Sequence, residues 1–122
     1  MDEGYFFDTY AFFEIIKQNP NYSEYLKVGI ITTRLNLMEL HYHLLREVGK
    51  YEADRHFNRF LPFCISFSNE DIKKANELKL EYKKRKLSYI DCLGYVIAIK
   101  RNVKFLTGDN QFKDLKDVEF VK

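Results

Sequence analysis

Along this chain the apolar positions switch repeatedly between short continuous runs and helical spacing. GYFFD at 4–8 predicts a buried strand ending at Asp8, and TYAFFEIIKQ then carries apolar groups at helical intervals. That helix must stop before Asn19-Pro20, because a residue preceding proline is pushed out of the α region. NYSEYLKV fits a short helix or turn, and β-branched GIITT at 29–33 predicts a second strand. RLNLMELHYHLLREV places Leu37, Leu40, Leu44, Leu45 and Val48 on one helical face, with Gly49 as the stop. Residues 51–61 predict a helix ended by Pro62, and FCISF at 63–67 a third strand. Ser68-Asn69 caps a charged helix running to about Lys86, with Ile72, Ala75, Leu78 and Tyr82 turned inward. A largely apolar helix covers 89–101, and VKFLT at 103–107 and VEFV at 118–121 complete the strands.

Strands that alternate with helices imply parallel strands joined by right-handed crossovers. The expected fold is a three-layer α/β/α sandwich around a mostly parallel sheet. At 122 residues the chain is sized for one domain, 1–122. Apolar residues at 46% and charged residues at 31%, with no Gly/Ser/Pro-rich linker, exclude a disordered chain. A net charge of only +2 does not by itself announce a polyanion ligand. Cys64 and Cys92 match no CxxC pattern, which points to two thiols in a reducing compartment. MDEGYFF lacks the basic start and apolar core of a signal peptide, and no apolar run approaches the roughly 20 residues of a membrane span. A cytoplasmic protein with no membrane association is expected.

Most acidic residues lie in plainly solvated stretches, but four do not. Asp8 ends an aromatic strand, Glu39 lies inside LNLMEL, Asp91 opens a nearly all-apolar helix, and Asp109 follows the strand in FLTGDNQF. Asp8 and Asp109 can serve as helix caps, and Ser88-x-x-Asp91 has capping-box spacing, as does Ser68-x-x-Asp71. Glu39 has no such local role. In open parallel sheets, however, ligands bind at the carboxyl ends of the strands, and all four acids can reach that edge. Four carboxylates so close raise one another's pKa values, and a shared cation resolves the conflict. An all-oxygen set suits Mg²⁺ or Mn²⁺. Such a cation activates water and stabilises phosphate oxyanions, so nuclease or phosphatase chemistry follows. Histidine is not required; His41 and His43 face different directions and His56 stands apart, so packing or surface roles suffice.

The order FFDT, TTRLNLMEL, LSYIDCLGYVIAIKRN and LTGDNQF resembles the PIN domain, the ribonuclease fold of VapC-like toxins in VapBC toxin–antitoxin pairs. The resemblance spans nearly the whole chain. It implies Asp8, Glu39, Asp91 and Asp109 as catalytic, metal-binding acids, with Thr9, Thr107 and Asn110 in support. It further implies a Mg²⁺- or Mn²⁺-dependent endoribonuclease, an RNA substrate, a cognate antitoxin that enters the cleft, and a homodimer joined through helices. Candidate contact surfaces are Tyr10, Phe13, Tyr22 and Tyr25, and the stretch from Tyr42 to Phe60. Lys83, Lys84, Arg85 and Lys86, just before Asp91, are the candidate RNA-backbone cations. The competing readings are a non-catalytic binding module of the same fold and a DNA nuclease.

Overall fold

Four short strands, β1 (Gly4–Phe7), β2 (Gly29–Ile31), β3 (Lys104–Thr107) and β4 (Val118–Phe120), pair in the order β2-β1-β3-β4 and are all parallel. Among the described residues five α-helices connect them: α1 (Thr9–Ile16), α2 (Arg34–Val48), α3 (Lys50–Phe60), α4 (Asn69–Glu81) and α5 (Tyr89–Lys100). The computed structural model describes residues 4–122; Met1, Asp2 and Glu3, the start of the MDEGYFF stretch, lie outside the described residues. Among the described residues no helix is long and apolar enough to cross a membrane.

Because successive strand side chains point to opposite faces, the doublets Phe6-Phe7 and Phe105-Leu106 each feed two cores. Phe7 and Leu106 pack with Ala11, Phe12, Leu37, Leu40, Leu44, Ala53 and Phe60, from α1, α2 and α3. Phe6 and Phe105 pack with Ala75 of α4 and Leu93, Ile97 and Ala98 of α5. These strand side chains are fully buried, each stabilising the fold by about 1.5–3 kcal/mol relative to exposure. The result is the expected three-layer sandwich. α5 lies tight against β1 because its contact residue is Gly94, where a Cβ would sit 2.6 Å from Phe6 Cε1.

The structure corrects several local readings. FCISF does not form a strand; it makes one parallel bridge, Thr32 to Cys64. Thr32 accepts from Ile65 N–H and donates to the Phe63 carbonyl, but Thr33 then caps α2, so no strand edge remains to pair with. The charged helix ends at Glu81 rather than Lys86. Leu45, Val48 and Ile72, expected inside, are exposed, while their neighbours Leu44 and Ala75 are buried. Tyr22 is fully buried, its hydroxyl on the Val121 carbonyl, so it belongs to the core rather than to a contact surface. Both cysteines are free thiols, Cys92 buried and Cys64 half-buried. His56 is not isolated: it is buried, stacks on Phe60 and approaches Glu52 at 3.7 Å.

Candidate active site at the carboxyl ends of the strands

Asp8 leaves the end of β1 and caps α1, accepting from Ala11 N–H at 2.9 Å. Its own N–H donates to the Leu106 carbonyl, which ties it to β3. The side chain is only 3% exposed. Burial pushes its pKa up to about 8; the charges of Asp91 and Asp109 add to that, and hydrogen bonds from Thr107 and Ala11 oppose it. An N-cap alone does not need a charge so costly to bury, since asparagine or serine caps as well.

Thr9 donates to Glu39 Oε1 at 2.6 Å, joining the start of α1 to the second turn of α2. Thr9 in turn accepts from the Asn36 side-chain amide at 3.4 Å, and the Asn36 side-chain oxygen accepts from the Thr33 hydroxyl at 2.7 Å. Asn36 and Thr33 are fully buried, so this hydrogen-bonded row fixes the height of Glu39 above the sheet. The sequence reading passed over Asn36. Its signal was there: a polar residue three before Glu39, on the same helical face, in an otherwise apolar segment.

Asp91 enters on the first turn of α5, in a capping box where it accepts from Ser88 N–H and its own N–H donates to the Ser88 hydroxyl. Burial, then the charges of Glu39 and Asp109, raise it to about 6 against the Ser88 hydrogen bonds. Asp109 follows β3; its N–H donates to the Thr107 hydroxyl at 3.0 Å and its carboxylate accepts from Gln111 N–H at 2.9 Å. Asn110 is exposed at the start of the same turn. The four acids therefore form one field of mutual repulsion, in which Asp8 feels Asp91 and Asp109, and Asp91 feels Glu39 and Asp109.

Among the described residues none of these four acids forms a salt bridge. Nor do any three His, Cys, Asp or Glu side chains of the described residues stand close enough to enclose an ion alone. Carboxylates that share one electrostatic field without closing on an ion fit a small hard cation that keeps several of its waters. Thr9 and Thr107 hold the acids rather than adding to the donor set. Lys83, Lys84 and Lys86 are exposed, whereas Arg85 is committed to Asp114 and the Gln111 carbonyl.

A sequence model described as PIN domain matches residues 5–118, a span that takes in all four acids. The chain belongs to the PIN domain family. Solved structures share the fold of this PIN domain. It is similar to a toxin–antitoxin complex from Klebsiella pneumoniae (TM-score 0.76, 16% identity, covering 95% of this chain and 96% of that one). VapC20, a sarcin–ricin loop cleaving toxin of Mycobacterium tuberculosis, superposes with TM-score 0.78 at 17% identity, over 98% of this chain and 100% of that chain. VapBC2 of Rickettsia felis, bound to a DNA fragment from its promoter, gives TM-score 0.73 at 23% identity, with 96% of each chain covered. No curated protein matches the sequence. At these identities the structural likeness speaks for the fold, and the PIN domain's chemistry must be read from its own residues.

Proposed function

We propose that this PIN domain is a metal-dependent endoribonuclease and the toxin of a toxin–antitoxin pair. The observation that carries the reading is the convergence of Asp8, Glu39, Asp91 and Asp109 on one strand-end edge, with no salt bridge to any of them among the described residues. A bound Mg²⁺ or Mn²⁺ would supply water activation and stabilisation of the phosphate oxyanions. The chain's own residues set the geometry. Thr9 holds one oxygen of Glu39, Ser88 N–H holds Asp91 Oδ2, and Ala11 and Gln111 N–H groups hold Asp8 and Asp109. Each acid thus keeps lone pairs for the ion while its orientation is fixed by backbone or hydroxyl.

Partners follow the same reading. The similar folds include two toxin–antitoxin assemblies, which supports a cognate antitoxin for this chain. For a homodimer the available helical surface is the outer side of α2 with the start of α3, where Met38, Tyr42, Val48 and Tyr51 are exposed. The test is cleavage of a mixed RNA pool with Mg²⁺ or Mn²⁺, comparing wild type with Asp8→Asn and Asp91→Asn. Wild-type cutting that disappears in both variants and in chelator is expected. Equal cutting by all three removes the nuclease assignment, and cutting of single-stranded DNA alone moves it to a DNA nuclease.

A further inference from the structure

The register of the sheet carries a row of residues outward from the acids. Phe7 pairs with Leu106 and Thr107 pairs with Phe120, so Phe120 lies one strand out from Thr107 at the same carboxyl end. Tyr10, next to Thr9, packs its ring against Gly108, between Thr107 and Asp109; a Cβ there would lie 2.3 Å from Tyr10 Cε1. Two cations frame these rings. Lys122 Nζ stands 5.8 Å from the Tyr10 centroid and 6.0 Å from that of Phe120, and Lys113 Nζ stands 5.5 Å from Phe120 on the turn that follows Asp109. Among the described residues neither lysine has a salt bridge.

We propose that Lys113, Phe120, Tyr10 and Lys122 form a strip on the β4 side of the site that grips single-stranded RNA and leads its backbone to the acids. This rests on the ribonuclease reading and adds where the substrate lies. Interleaved cations and aromatic faces are what an unpaired strand needs: cations for phosphates, ring faces for bases, with little sequence preference. An acidic edge repels a polyanion, so the substrate must be drawn in from beside it, and this strip reaches from the turn after Asp109 to the β4 edge. In the Lys83–Lys86 segment Arg85 is bound to Asp114, and the exposed Lys83, Lys84 and Lys86 are the rival anchor.

The experiment is fluorescence anisotropy of a short labelled single-stranded RNA with Asp8→Asn protein in chelator, over a salt series. Adding Lys113→Gln and Lys122→Gln together should reduce the log–log salt slope by about 1.4, two single-strand phosphate contacts. Adding Phe120→Leu, chosen to keep an apolar group on β4, should weaken binding about fivefold or more. Unchanged circular dichroism and melting point show that each variant is folded. If affinity and slope stay at the parent values, or if only Lys83→Gln with Lys84→Gln and Lys86→Gln lowers them, the strip is rejected. Binding is read without turnover, so a chain that cuts no RNA but loses affinity through the strip overturns the catalytic reading alone. One that cuts RNA with an inert strip overturns the inference alone.

Discussion

The chain contains one local motif twice, with opposite electrical outcomes. Ser68-x-x-Asp71 opens α4 and Ser88-x-x-Asp91 opens α5, and both are complete capping boxes with reciprocal hydrogen bonds of 2.9–3.1 Å. Burial pushes the Asp71 carboxyl upward, but Ser68 and Lys100 outweigh it and hold the pKa below the ordinary value. Asp91 has the same serine contacts, meets Glu39 and Asp109 instead of a cation, and rises to about 6. The difference is made by α5 itself. Its first turn delivers Asp91 to the acids, and its last residue, Lys100, reaches back to Asp71. A cap motif therefore says nothing about chemistry until the charges facing it are counted.

The widest separation between the two boxes should be in activity. Asp91→Asn keeps an acceptor for Ser88 N–H but removes a charge from the acid edge, and RNA cleavage should fall at least about 100-fold. Asp71→Asn should cut within about twofold of wild type. If both variants lose activity equally in a gel-based cleavage assay, the boxes differ less than their surroundings suggest.

Stability should reverse that order. Asp71→Ala removes a cap and its ion pair and should cost about 2 kcal/mol, a fall in melting temperature on the order of 5–10 °C. In metal-free buffer Asp8→Asn should raise the melting temperature, because the buried and repelled carboxylate is replaced by a neutral cap acceptor. Mg²⁺ at ten times its dissociation constant should stabilise wild type by about 1.4 kcal/mol and Asp8→Asn by much less. A melting point of wild type that ignores Mg²⁺ and Mn²⁺ would count against the ion.

A pH series isolates the structural box. Asp71 has a folded pKa below its ordinary 3.8, so its contribution is present above that value and is lost as pH falls through the depressed folded value. The gap in denaturant stability between wild type and Asp71→Asn, about 1 kcal/mol, should therefore be full at neutral pH and close below pH 3.8. A gap that widens on acidification breaks the assignment.

What the sequence disclosed about these regions follows from which forces are local. Strand runs, the Pro20 and Gly49 stops and both capping boxes depend on near neighbours, and the four strands and the starts of the five helices of the described residues appear where the periodicity places them. FCISF had a strand's composition, yet a strand needs a partner edge, and the turn of Thr33 into α2 removed it. The helix end at Glu81 was equally invisible, because Tyr82 caps it while Arg85 is drawn to Asp114, 29 residues away in sequence. Asp8, Glu39, Asp91 and Asp109 could be singled out as charges in apolar surroundings. Asn36, which sets Glu39 through Thr9, is neutral, so its only mark in the sequence was its place three residues before Glu39 on the same face.

The smallest effect offers the finest test of the comparison. Lys100→Gln leaves every hydrogen bond of both boxes in place and removes only the cation at the far end of α5. Lys100 is 58% exposed, so the stability change should be about 0.5 kcal/mol or less. The informative signal is the carboxyl carbon shift of each aspartate by NMR titration in metal-free buffer. The Asp71 midpoint should move up toward 3.8, since part of its depression comes from Lys100. The Asp91 midpoint should stay where it is, because the charges that raise it are those of Glu39 and Asp109, at the other end of α5 from Lys100. If both midpoints move together, the two ends of α5 are electrically coupled, and the contrast between a neutralised cap and an unneutralised site residue is lost.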